Sequence, residues 1–471
     1  MKSKYPGSFW ILLAAPVILL ILVRILGFDG LFGQDTYAYT KYSEDLRSLC
    51  TKGIKPGFFF WPPGYSLSSF LLFFLPAHVS LQFISTLSLS GCLFYLYRLI
   101  LHSYPGTSAH HVIAYLFLFC LGAPYFLRNA IVNSSDMLAC FCICGSVYHS
   151  LTFKNKNLAI DLILFFIYFA YGVITRYLVF LVILPYFLDL LYALFNLKFK
   201  KEYVLALIPI LLCGLLYAYC KGLNLHFLNH QALETWNIKY YFSKTINSPE
   251  GQLNYMFPNI IFSLYPFFHP GFCYLGFLFL FFSNIKLKRN TATLHFISIA
   301  MFILFIAGNY FQNPRHLLVI YPLVLISIYP GYEKVSRFLS TKKLGIIFTV
   351  MLIIQSALSI RAIYPSFDRN KLEKEITAYV AHLGNENGQR LYSFDISNAV
   401  EYRQDQFKVV NLYDTVYSDF QKNSFALINE SAWASQWRDK NVMINVHNLR
   451  SRYALRVIKE FRKGWVLYQI E

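Results

Sequence analysis

One carboxylate behind the first apolar stretch is the residue best placed to do chemistry. After Ser8–Ile25 the chain runs Gly33-Gln34-Asp35-Thr36-Tyr37-Ala38-Tyr39, passes Glu44 and Asp45, and reaches Trp61-Pro62-Pro63-Gly64-Tyr65 before turning apolar again. An acid held at a membrane surface among aromatics suits proton abstraction from a hydroxyl or amine, or the holding of a divalent cation. Gly33 permits an unusual backbone turn just ahead of Asp35.

Other charged residues fall on the same side of the membrane in the topology set out below. Asp136 opens an apolar segment, where capping and the helix dipole give it a structural use. An acid at that depth also needs a partner or water. Arg176 and Arg315 are basic on the side where the orientation rule disfavours basic residues. Their guanidinium groups can snorkel at the rim or hold a phosphate in a bidentate fork. His226, His230 and Glu234 are spaced i, i+4, i+8 on one helical face, and two of them could serve a divalent metal. The cofactor is otherwise left open. Trp236, Tyr240 and Tyr241 suit an interfacial aromatic belt.

The elements that position these groups are hydrophobic helices. Of 471 residues 56% are hydrophobic, 19% aromatic and only 14% charged, against roughly 25% charged in a soluble chain. The apolar runs are about 18–22 residues long, enough to cross a bilayer core. They do not alternate as barrel strands would. The formal charge of +18 is explained by basic loop ends at every second helix boundary, among them Lys154/Lys156, Lys198/Lys200/Lys201, Lys286/Lys288/Arg289 and Lys334/Arg337/Lys342/Lys343. That is the positive-inside pattern, so nucleic acid is not an expected partner.

About eleven crossings fit the lengths and charges: Ser8–Ile25, Val79–Leu101, His111–Leu127, Ile131–Leu151, Leu158–Thr175, Tyr177–Leu197, Tyr203–Tyr219, Pro258–Phe282, Thr293–Tyr310, His316–Pro330 and Leu344–Arg361. The first has no small-residue cleavage site after it and reads as an uncleaved anchor. The N-terminus is then inside, and the Asp35 loop and the tail outside. Of the 9 cysteines, Cys140, Cys142 and Cys144 fall on different helix faces, which argues against one metal site. The expected fold is an all-α polytopic membrane domain over residues 1–361, followed by a small α/β extracytoplasmic lobe over 362–471. In the lobe, Lys371–Leu383, Ser424–Arg438 and Arg452–Lys463 read as helices. Arg390–Phe394, Phe407–Leu412, Asn441–His447 and Trp465–Ile470 read as strands. No Gly-rich phosphate loop is present there.

Four short motifs in this order resemble the membrane glycosyltransferases of the GT-C fold. That group contains the protein O-mannosyltransferases and the bacterial aminoarabinose transferase (glycosyltransferase 39/83-like). The motifs are Gln34-Asp35-Thr36-Tyr37-Ala38-Tyr39 with Trp61-Pro62-Pro63-Gly64-Tyr65, then Ser135-Asp136, then Thr175-Arg176-Tyr177, and finally Arg315 with Pro322. The chain departs from the paired Asp-Glu of many members, having Asp35-Thr36. The resemblance implies transfer of a hexosyl or pentosyl unit from a polyprenyl-phosphate donor to a lipid, glycan or protein acceptor on the outer face of a bacterial inner membrane. Asp35 is the expected base, Arg176 and Arg315 the donor-phosphate ligands, and Asp136, Tyr37 and Tyr39 the supporting residues. Two rivals share part of this pattern. An O-antigen-type polymerase or ligase would carry its dominant loop later in the chain. A transporter or flippase of lipid-linked glycans would show related halves and mid-membrane charges.

Overall fold

The computed structural model describes residues 5–57, 59–196, 202–221, 236–248, 251–283, 291–383, 388–434 and 436–471. His226, His230 and Glu234 lie outside the described residues. Among those described, six helices are long and apolar enough to cross a membrane, or seven if one bent pair is a single span. The chain is an integral, multi-pass membrane protein. Ala159–Thr175 and Thr291–Ala307 are shorter apolar helices.

Several expected crossings are broken, and the breaks have local causes. His111–Leu127 is the bent pair: Ala109–Leu121 turns by 76° into Pro124–Ala130, with Pro124 in the first turn of the second helix. Pro258–Phe282 is not one helix but Asn259–Ser263, a 3₁₀ turn at Tyr265–Phe267 and Gly276–Phe282. Pro266 and Pro270 remove backbone donors there, and Gly271 lends its carbonyl to Tyr125 N–H at 3.1 Å instead. Arg315 sits on a short helix, Pro314–Leu318, which precedes Tyr321–Arg337. The last span does not stop at Arg361. It continues as one helix, Thr341–His382, from the membrane domain into the lobe.

The larger correction concerns the Asp35 segment, which is a helix, Gly33–Lys52, and not a loop. Gly33 enters at φ +65° and Gly53 closes the helix at φ +69°, both left-handed conformations that glycine adopts without strain. Thr36 ties the first turn, accepting from Phe32 N–H at 2.8 Å and donating back to the Phe32 carbonyl at 2.9 Å. Its buried positions are Thr36, Tyr37, Tyr39, Thr40, Tyr42, Ser43 and Leu46. These recur at helical spacing, but in Tyr, Thr and Ser, so hydropathy alone does not reveal the period.

The lobe is a five-stranded mixed sheet in the order β4-β3-β5-β7-β6, with β3 Arg390–Ser393, β4 Lys408–Asn411, β5 Phe425–Ile428, β6 Leu455–Glu460 and β7 Val466–Ile470. A hairpin, β1 Thr245–Ser248 with β2 Gly251–Asn254, forms a separate sheet and meets the lobe where Gln252 N–H donates to the Gln436 carbonyl at 3.1 Å. Strand β3 runs parallel to β4 and β5, while β7 is antiparallel to β5 and β6. Three expected lobe elements are reversed in type. Ser424–Arg438 supplies the central strand β5, whose four residues are all buried; such an apolar run has no period to separate strand from helix. Asn441–Arg452 is a helix burying Val442, Asn445, Val446 and Leu449, at i, i+3, i+4 and i+7. Arg452–Lys463 supplies the edge strand β6. The lobe's apolar core also takes in Leu31 and Tyr37, which follow the first apolar helix.

Candidate active site

Four charged side chains from four separate segments meet in one linked row. Arg315 donates from Nη1 to Asp35 Oδ2 at 2.7 Å and from Nε to Asp136 Oδ2 at 2.8 Å. Arg176 donates from Nη1 to the other oxygen of Asp136. Asp136 is fully buried, whereas the Asp35 side chain is 36% exposed. The row therefore runs from a neutralised interior to a partly exposed carboxylate. Among the described residues Asp35 Oδ1 has no hydrogen-bond partner.

Each member is placed by its local structure. Asp35 lies in the first turn of its helix, where the backbone N–H groups favour an anion. Asp136 is the first residue of Asp136–Lys156. Its carboxylate is bound by the two arginines, so its role extends beyond capping. Arg176 is held in extended backbone directly after Ala159–Thr175. Asn313 caps the next helix by accepting from Arg315 N–H at 3.0 Å, which fixes the arginine's start. Burial pulls the Arg315 guanidinium down, but the charges of Asp136 and Asp35 outweigh it and raise its pKa. It stays protonated.

The aromatic motifs build the wall of this site. Tyr39 shares a hydrogen bond with Ser135 Oγ at 3.0 Å, and burial pushes its phenol up to about 12. Its ring meets Tyr65 edge-on at 5.1 Å and stacks beside Trp61 at 6.4 Å. Tyr65 in turn donates to the Leu81 carbonyl at 2.9 Å. Gly64 is required: a Cβ there would stand 2.7 Å from both the Ile174 carbonyl oxygen and Thr175 Oγ1. The Pro-Pro-Gly-Tyr segment is thus pressed against the turn that presents Arg176, and Tyr171 seals the contact by donating to the Gly64 carbonyl at 2.9 Å.

Tyr37 faces the other way. It donates to Glu373 Oε2 at 3.0 Å and accepts from Arg403 Nε at 3.1 Å, both lobe-side groups. Glu373 and Arg403 were not singled out from the sequence; the i, i+4 pair Arg369 and Glu373 was the visible sign of a fixed carboxylate there. Among the described residues no group of three or more His, Cys, Asp or Glu side chains is arranged to hold a metal ion.

No protein-family model matches the chain, and no curated protein matches it. Solved structures do. ArnT from Cupriavidus metallidurans in the apo state superposes with a TM-score of 0.56 at 12% identity, over 96% of this chain and 97% of that one. The same protein bound to undecaprenyl phosphate superposes with a TM-score of 0.58 at 13% identity, over 98% of each chain. The fold is the GT-C fold. It covers the membrane domain and the lobe together, so the motifs from Asp35 to Arg315 sit in the architecture that their resemblance implied.

Proposed function

We propose that this protein transfers a sugar from a polyprenyl-phosphate donor to an acceptor hydroxyl or amine on the outer face of the membrane. The observation that carries the reading is the half-open Asp35, held through one oxygen by Arg315 while its other oxygen stays unpartnered among the described residues. The fold supports the donor class, since a structure sharing it over nearly the whole chain holds undecaprenyl phosphate. A lipid-linked donor also suits outer-face chemistry, because nucleotide sugars are made inside. In this reading the membrane is a bacterial inner membrane, and the basic loop ends support an N-terminus in the cytoplasm and a lobe outside.

Asp35 Oδ1 takes the proton from the acceptor as its oxygen or nitrogen attacks the anomeric carbon. The bond from that carbon to the phosphate oxygen breaks, and polyprenyl phosphate departs with the electron pair, inverting the anomeric configuration. Arg315 and Arg176 have spent part of their donor sets on Asp136, and their remaining N–H groups offset charge on the leaving phosphate. The acceptor is a lipid, a glycan or a protein. Two measurements test the reading. Purified protein in liposomes should convert labelled polyprenyl-phosphate sugar to free lipid phosphate and glycosylated acceptor. Mass spectrometry of cells lacking the protein should show the unglycosylated acceptor accumulating. Failure to consume any such donor overturns the proposal.

A further inference from the structure

The helix Gly33–Lys52 is a shared wall with two working faces. Asp35, Tyr39 and Tyr42 point into the membrane domain: Asp35 to Arg315, Tyr39 to Ser135, and Tyr42 to the Cys220 carbonyl at 3.1 Å. Tyr37, Lys41 and Glu44 point to the lobe. The spacing of each set, three to four residues, puts it on one side of the helix. The lobe helix Ser397–Arg403 lies along that second face, with Glu401 paired to Lys41 and Tyr402 donating to Glu44 Oε1 at 2.9 Å.

The start of this wall is held by Glu373. Phe32 precedes the helix and has no oxygen in its side chain to cap it. Glu373, 340 positions away, supplies the cap: its Oε1 accepts from Gly33 N–H at 3.0 Å. Its Oε2 accepts from Tyr37 O–H at 3.0 Å. Glu373 is itself fully buried and pinned by Arg369 Nε at 2.6 Å. A buried carboxylate with no such partners is costly, so the interface has one well-satisfied arrangement. The two residues that it grips flank Asp35 on either side. The rigid continuation of the last span through Thr341–His382 carries Glu373 to this place.

We infer that Glu373 is a positioning residue for Asp35, and that the lobe is the part of the enzyme that sets the base's aim. The inference rests on the sugar-transfer reading for its catalytic consequence, but not for its structural one. Glu373→Ala frees the Gly33 N–H and the Tyr37 O–H together, while Arg403 still donates to the Tyr37 oxygen. Tyr37→Phe removes one of the two grips and keeps the ring packed in the lobe core.

Two readouts test it. Hydrogen exchange by mass spectrometry on the full-length protein in lipid needs no substrate. The peptide spanning 33–39 should exchange faster in both variants, with the other peptides of the membrane domain unchanged. Unchanged exchange in this peptide overturns the inference whatever the protein's activity. With the lipid-linked sugar donor, kcat should fall about tenfold to a hundredfold in Glu373→Ala and less in Tyr37→Phe, the scale of a base displaced by ~1 Å, while KM for the donor stays within about twofold. In an Asp35→Asn background the Glu373→Ala change should cost little more, because its effect passes through Asp35. Additive losses, or a rise in KM alone, overturn the positioning role. If wild-type protein transfers no sugar while the exchange result holds, the functional reading fails and the positioning geometry stands.

Discussion

Arg315 Nη1 donates to Asp35 Oδ2 at 2.7 Å across 280 residues of chain. The proposed base is therefore not a free acid on a loop. It is one end of an ion-pair row whose second carboxylate, Asp136, lies between the two arginines and is inaccessible to water. Because Arg315 engages only one oxygen, Asp35 keeps its orientation and still offers a proton acceptor.

Replacing Asp35 with Asn keeps the shape and the Arg315 contact through the amide oxygen but removes the basicity. Turnover should fall by about two to four orders of magnitude, the usual worth of a general base. Binding of the lipid donor, followed by tryptophan fluorescence or calorimetry, should change little. Near-normal transfer by this variant removes Asp35 from the mechanism.

Arg315→Lys keeps a charge and loses the fork. A single ammonium group on a flexible stem does not reproduce the planar Nε and Nη1 geometry that spans Asp35 and Asp136. Loss of one charged hydrogen bond is worth roughly 1.5–3 kcal/mol, so kcat/KM should fall about tenfold to a hundredfold. Unchanged kinetics would mean that Arg315 only neutralises charge at the rim.

How far the site was legible follows from what its residues are. Asp35, Asp136, Arg176 and Arg315 stand out because charge in or beside an apolar segment needs a reason, and all four converge. Their pairing was not legible, since nothing local to Arg315 says that it reaches Asp35. The Asp35 helix was hidden because its period is written in Tyr, Thr and Ser. The reversed lobe elements failed for a different reason: β5 is buried throughout, and the amphipathic period of Asn441–Arg452 is carried partly by Asn445. The second face of the Asp35 helix depends on tertiary contacts with Glu373 and Arg403 that sequence spacing does not encode.

Asp136→Asn should damage stability as well as activity. The carboxylate is fully buried and is bound by both arginines. Removing its charge leaves Arg176 without its carboxylate and Arg315 with only Asp35. Breaking a buried pair costs about 3–5 kcal/mol, so the detergent-solubilised variant should unfold at a clearly lower temperature than wild type. The Asp35→Asn variant, whose site is part-exposed, should lose much less. Equal melting temperatures for the two variants would contradict the buried-row account.

The junction between lobe and membrane domain should also respond to acid, and the sign follows from Asp29. Burial pushes the Asp29 carboxyl up, but the charge and hydrogen bond of Arg403 at 2.8 Å, with Lys374 and the Leu31 N–H, outweigh it and hold it below its ordinary value of 3.8. A carboxyl depressed in the folded state contributes its full stability above the unfolded value and loses it as pH falls through the folded one. The Asp29 contribution to docking of the lobe should therefore be constant from neutral pH down to about 4 and fall below it. Limited proteolysis of the segment joining Leu26 to Phe32 reports this directly with an acid-active protease. The part of the cleavage that depends on Asp29, read as the difference between wild type and Asp29→Asn, should shrink below that point. In Asp29→Asn, which lacks the charged contact at every pH, cleavage should already be high at neutral pH. Cleavage that is independent of both pH and substitution would remove Asp29 from the junction.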